Sequence, residues 1–198
     1  MLPIDKRVCI LYIEEMMKQF VAMVFLIFIG LAANAEIMDV PFVYEEFDVD
    51  IHQYPHMLLI NNPESEQLGT QYTFTDKESN YQIRYTFFKQ TIKDYKNIKI
   101  AYAVCIMPVI FNVAGYDTDQ ISNFNDNDVK KEFNGNFGCT VFIMDPKSDF
   151  GKGYRFIMIN FYYKENQGIV VQSILFNDLN LVQKPYFMEI FHSFRFHE

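Results

Sequence analysis

Between residues 154 and 163 both alternating sets of side chains are apolar, with Arg155 and Asn160 the exceptions. Successive side chains of a strand point to opposite faces, so a strand of this kind must be covered on both sides. Two more strand-like runs flank it, 139–144 and 169–176, joined to it through 145–153 and 164–168. Links this short allow only antiparallel neighbours, which makes the three runs a meander. The expected fold class is therefore α+β, a mostly antiparallel sheet with helices on both faces, an α/β/α sandwich.

The rest of the chain supplies the covering elements. Tyr81, Ile83, Tyr85 and Phe87 alternate with Gln82, Arg84 and Thr86 after a polar turn at 76–80, and Tyr72 and Phe74 alternate before it. That is a hairpin with one buried and one wet face. The run 57–60 is apolar and closes on Asn61-Asn62-Pro63, as a strand entering a turn does. Residues 98–115 form the most apolar stretch after the leader, interrupted by Pro108. They read as a buried helix that kinks or restarts at the proline, with a strand over 101–107 as the competing assignment. Asn125 caps a short helix through Val129 and Phe133 that stops at Asn134-Gly135. A closing helix starts at Pro185 and carries Phe187, Ile190, Phe191 and Phe194 on one face. Residues 36–56 read as an acidic, irregular lead-in with at most one short strand, leaving 57–198 as one domain.

The apolar run at 20–32 follows Lys18 and ends in Ala33-Asn34-Ala35, a small-x-small pattern that a signal peptidase accepts. Cleavage between Ala35 and Glu36 removes an N-terminal extension and signal peptide, 1–35, and leaves an exported protein, periplasmic or secreted. A retained anchor needs about 20 apolar residues, so no stable membrane span is expected after cleavage. The leader contains Lys6, Arg7 and Lys18 against Asp5, Glu14 and Glu15, so the net charge of −8 is unchanged by its loss. An acidic chain without a basic run repels a phosphate backbone, which argues against nucleic acid as partner. Half of the residues are hydrophobic and 17% aromatic, which a packed core absorbs. Export also permits a disulfide between the two remaining cysteines, Cys105 and Cys139. Two separate buried thiols fit the sequence equally.

No catalytic, cofactor or metal set survives inspection. His52 and His56 are four apart but flank Pro55, and His192 and His197 are distant in sequence. Gly151-Lys152-Gly153 precedes a strand rather than the helix that a phosphate loop requires. Asn123, Asn125, Asp126, Asn127 and Asp128 lack the central glycine and the closing Glu of a calcium loop. Ser65, Ser122, Ser148 and Ser173 have no nucleophile-elbow context, and Glu45, Glu46 and Asp48 read as a solvated acidic segment. Tyr162 and Tyr163 are candidates for an aromatic contact patch.

The order of elements, closing on Ser193-Phe194-Arg195-Phe196, is similar to the Mog1/PsbP-like group of α/β/α sandwiches over roughly residues 55–197. Members of that group are mostly binding or assembly proteins, so the resemblance implies partner binding without catalysis. It has no shared site residues to carry over. The expectation is an exported binding or interaction protein without cofactor. Its partner would be an unidentified protein or a small apolar ligand held between the sheet and the 98–115 helix. An enzyme with a site assembled from scattered residues is the third reading. Intact-mass measurement on the exported protein is expected to show Glu36 as the first residue; a retained 17–35 segment would mean a membrane anchor instead.

Overall fold

In the computed structural model, β8 (Phe156–Lys164) and β9 (Gly168–Phe176) lie side by side at the middle of the main sheet. All of β9, and all of β8 but its last residue, is buried. The structure describes residues 41–44, 48–60, 72–78, 80–88, 98–114 and 121–197; side chains of 41–44 and 98–105 are outside that description. All belong to one unit, Ile37–Glu198. The leader, the cleavage position Ala35/Glu36, Glu45, Glu46, Ser65 and the Cys105 side chain lie outside the described residues.

The chain begins with β1 (Pro41–Tyr44) and β2 (Val49–His52), then β3 (Leu58–Ile60), β4 (Tyr72–Thr75) and β5 (Tyr81–Phe88). Next come α1 (Ile98–Ala114), β6 (Ile121–Asn123), α2 (Asp126–Phe133) and β7 (Phe137–Met144). A single turn, α3 (Ser148–Gly151), precedes β8 and β9; α4 (Pro185–Phe191) and β10 (Phe194–Phe196) close the chain. The main sheet has seven strands in the order β3-β4-β5-β9-β8-β7-β6, every neighbouring pair antiparallel. Two meanders, β3–β5 and β6–β9, are thus joined edge to edge by the β5–β9 pairing, and the fold is α+β as expected.

Register assigns the two faces. On one, Ile157, Ile159, Phe161 and Tyr163 align with Ile143, Val141, Cys139 and Phe137 of β7 and with Leu175, Ser173, Val171 and Ile169 of β9. Ile106, Ile110, Val113 and Ala114 of α1 join that cluster. Residues 98–114 are therefore a helix, not a strand, and Pro108 sits inside it. On the other face lie Phe156, Met158, Asn160 and Tyr162, with Ile174, Gln172 and Val170 of β9 and Ile83, Tyr85 and Phe87 of β5. Phe187 of α4 meets Phe176 edge-on at 6.4 Å, and Phe194 of β10 meets Tyr162 at 4.6 Å.

α2 forms as read: Asn125 accepts from the Asn127 amide, Val129 and Phe133 face inward, and Asn134 adopts a left-handed φ of 54° as the stop.

Three expectations change. Residues 36–56 are not an irregular lead-in throughout, because β1 and β2 form there and make a three-stranded sheet with β10. The period-two signal was present, with Val49 and Ile51 buried and Asp50 and His52 half-buried, but the acidic neighbours obscured it. The closing helix ends at Phe191, and Phe194 sits on β10 instead of continuing the helical face. Pairing of β10 with β2 satisfies the backbone of this segment in place of a further helical turn. The third change concerns the hairpin's wet face: Arg84 on β5 is 1% exposed.

Phe156 and Ile157 point to opposite faces and are 7% and 0% exposed. Each truncation to alanine is expected to cost about 2–5 kcal/mol in denaturant melts, the range for emptying a large core side chain. A loss below about 1 kcal/mol for either would mean that its face is open.

Candidate functional site

Burial on both faces makes the polar groups of the sheet depend on partners inside the protein. On the α4 face one row across the strands is polar: Thr140, Asn160, Gln172 and Tyr85 align on β7, β8, β9 and β5. Gln172 is its hub. Its amide nitrogen lies 2.9 Å from the Ile190 carbonyl, 3.1 Å from Tyr85 Oη and 3.2 Å from Ser193 Oγ. Its oxygen accepts from Asn160 Nδ2 at 2.9 Å. Tyr85 also hydrogen-bonds Ser193, whose hydroxyl donates to the Ile190 carbonyl. The network ties the end of α4 to the sheet, so its work is structural. Asn160 Oδ1 and Thr140 Oγ1 at the far end are buried without a hydrogen-bond partner.

The histidines do not converge. His192 Nε2 is 3.1 Å from Glu132, His197 Nε2 is 2.6 Å from Asp50, and His56 Nδ1 is 3.6 Å from Glu189. Each contact ties the C-terminal segment to a different element. Both nitrogens of His192 face acceptors, since Nδ1 is 2.8 Å from the Met188 carbonyl, and its ring stacks on Phe133. No three potential ligands gather around a metal-sized space among the described residues. The calcium-like and phosphate-like segments are the cap of α2 and the turn after α3. Ser122, Ser148 and Ser173 fall on β6, α3 and β9, and Asp48 is exposed at the start of β2.

The aromatic patch is corrected. Tyr162 and Tyr163 are buried, and Tyr162 packs among Phe124, Phe133 and Phe194 because both faces of β8 are covered. Among the described residues the exposed large apolar side chains are instead Leu58, Leu59, Phe88 and Phe111. Cys139 is buried in the α1-facing cluster, and its pairing with Cys105 lies outside the described residues.

The group that sequence reasoning missed is Arg84. It lies on the α1-facing side of the sheet, paired in register with Thr73 of β4 on one side and Ser173 of β9 on the other. Nε donates to Gln82 Oε1 at 2.7 Å and Nη1 to the Phe150 carbonyl at 2.6 Å. The guanidinium carbon stands 4.9 Å over the Phe150 ring. No carboxylate pairs with it among the described residues. Burial lowers its pKa to about 10, with the nearby Tyr154 acting in the opposite direction, so at neutral pH the cation persists. Burying a charge without a counter-charge costs several kcal/mol. Period-two alternation assigned Arg84 to solvent, and only its place among Thr73, Ser173 and Phe150 reveals a buried cation.

Comparison with known proteins finds no matching family model and no match among curated proteins.

The aromatic core makes a pH prediction. Burial is the chief cause that holds the phenols of Tyr81, Tyr85 and Tyr162 well above their usual range, reinforced at Tyr81 by Asp76. The folded state favours the neutral phenol, so this stabilisation is complete below about pH 10 and is lost as pH rises beyond it. The lowered Arg84 pKa works in the opposite sense over the same range. These tyrosines are expected to stay silent in absorbance at 295 nm until the protein unfolds. A reversible titration of every tyrosine near pH 10 with native circular dichroism would contradict their burial.

Proposed function

We propose that this chain is an exported, non-enzymatic binding protein whose ligand carries an anionic group recognised by Arg84. The observation that carries the reading is a fully buried guanidinium with three neutral contacts, the Gln82 amide oxygen, the Phe150 carbonyl and the Phe150 ring. A bound anion would neutralise this charge in a low-dielectric site, where the attraction far exceeds its value in water. The −8 overall charge opposes an approaching anion, but screening confines that field to about 8 Å at physiological salt. Export from the signal-like leader, and the Mog1/PsbP-like resemblance with its binding and assembly roles, lean the same way. Among the described residues no helix is long and apolar enough to cross a membrane. The alternative of an apolar carrier has less in its favour. Ile106, Ile110 and Val113 of α1 already pack into the cluster containing Val141, Ile157 and Ile159.

A purely structural arginine and a binding arginine differ in the ligand-free protein. Arg84→Met removes the desolvation cost and, among the described residues, leaves no carboxylate unpaired, so the variant is expected to be at least as stable as the wild type. Loss of more than about 2 kcal/mol on this substitution would make Arg84 a strut and remove the basis for the proposal. In thermal melts, a saturating oxyanion is expected to raise the wild-type midpoint by several degrees and that of Arg84→Gln by no more than the general salt effect. Saturable binding of Nile red with no Arg84-dependent anion effect would favour the apolar carrier.

A further inference from the structure

We propose that the C-terminal segment, α4 through His197, is a proton-operated clamp. Protons on His192, His197 and His56 fasten it at mildly acidic pH, and their loss above neutrality slackens it. The inference does not depend on Arg84, which lies on the opposite face of the main sheet.

His192, the residue at which α4 ends, carries the argument. Its Nδ1 is 2.8 Å from the Met188 carbonyl, and its Nε2 is 3.1 Å from Glu132 Oε2 on α2. A carbonyl and an ionised carboxylate only accept, and a neutral imidazole has one N–H to give. Without an extra proton on the pair, one of these contacts sets an acceptor against an acceptor. An imidazolium satisfies both, and its charge suits the stacking of the ring on Phe133 at 5.4 Å and 13°. Glu132 depends on that proton as well. Its side chain is 14% exposed, and its Oε1 is buried without a hydrogen-bond partner. Lys130 and Lys131 beside it on α2 are exposed. The Tyr162 phenol of β8 also packs on Phe133, at 4.4 Å, and is held neutral chiefly by burial, so it supplies no counter-charge.

Two further histidines cross the same seam with the same sign. His197 Nε2 is 2.6 Å from Asp50 of β2. Around it stand Arg195, opposite Asp50 in register and exposed, and Lys164 of β8, whose ammonium bonds the His197 carbonyl. His56, on the β2–β3 connection, has Nδ1 3.6 Å from Glu189 of α4. Its ring stands 5.9 Å from Tyr54, 6.3 Å from Tyr81 and 5.6 Å from Tyr186. Burial first, then Asp76, Tyr186 and Glu189 push the Tyr81 phenol up, and Asp76, Asp178 and Glu78 act on Tyr186. An imidazolium here therefore meets negative charge and three π faces. His56 Nε2 has no hydrogen-bond partner, so Glu189 and the rings are what distinguish its two protonation states.

Imidazoles in general gain a proton between about pH 7 and pH 6, and carboxylates keep their charge to about pH 5. Over that window all three contacts become charge-assisted and none loses a charge. Their contribution to stability is present in mild acid and is lost as pH rises through neutrality. The Gln172–Tyr85–Ser193 network has no group that titrates in this window and holds Ile190 and Ser193 throughout. Slackening is thereby confined to His192 and β10, where Phe194 covers Phe133 and Tyr162.

Thermal melts of the exported protein between pH 8 and pH 6, with amide exchange corrected for its intrinsic pH dependence, test the clamp. The wild-type midpoint is expected to rise by about 3–8 °C from pH 8 to pH 6, with the added protection concentrated in 192–197. Glu132→Gln separates a proton clamp from an ordinary ion pair. Its amide donates to a neutral Nε2 while Nδ1–H serves the Met188 carbonyl, so no proton is missing at high pH. This variant should match or exceed the wild type at pH 8 and show a flatter pH dependence. His192→Gln does not titrate and should also flatten the dependence, which guards against a folding defect in the first variant. A midpoint that stays level or falls from pH 8 to pH 6 would overturn the clamp. So would Glu132→Gln or His192→Gln keeping the wild-type slope, or Glu132→Gln losing stability at pH 8. Acid protection spread evenly over the main sheet would also overturn it, as a general charge effect in a chain of net charge −8.

Discussion

Two adjacent strands, β8 and β9, are buried along both faces, and the rest of the fold answers to that constraint. A sheet whose centre is apolar on both sides cannot leave either face to water without exposing several large side chains at about 25 cal/mol per Å². The α1 residues Ile106, Ile110 and Val113 meet one side, and Phe187 and Phe194 meet Phe176 and Tyr162 on the other. Even the small sheet serves this need, since β10 places Phe194 against Tyr162 while β2 holds β10 in place.

The same constraint dictates the chemistry of the interior. Polar side chains within the sheet must be satisfied by one another, because an orphaned buried group costs about 1–3 kcal/mol. Gln172 meets this demand on the α4 face by serving Tyr85, Ser193, Asn160 and the end of α4 at once. The histidine–carboxylate contacts secure the same C-terminal segment from its outer side, to α2 through Glu132 and to β2 through Asp50. A terminal segment of little more than a dozen residues is thus held by apolar contact, a buried network and peripheral histidine–carboxylate contacts together.

On the opposite face the solution differs. Arg84 occupies the row that continues through Ser173 and Ile159, and its charge meets a carbonyl and an aromatic ring rather than a carboxylate. The contrast with Gln172 is informative. Neutral groups in this sheet are used to fasten the layers together, whereas Arg84, the fully buried cation among the described residues, has no carboxylate partner among them and is covered by the short α3 segment.

Much of the architecture was legible in local pattern. The both-sided strand, its two short links, the hairpin, the Asn125 cap and the Pro185 start rest on neighbours a few residues apart, and such interactions act the same in any context. What the pattern misjudged were residues whose partners are distant in sequence. β2 forms because β10 pairs with it, about 140 residues later, and Phe194 leaves its helix for the same reason. Tyr162 became core because Phe124, Phe133 and Phe194 close over it. Alternation placed Arg84 correctly on the face opposite Tyr85, but whether that face was wet depended on Phe150, which lies 66 residues away. The sequence by itself determined which side chains share a face, since that is a property of one strand's backbone. Which faces meet water, and which charge is stranded beneath them, was decided only when the strands and loops came together.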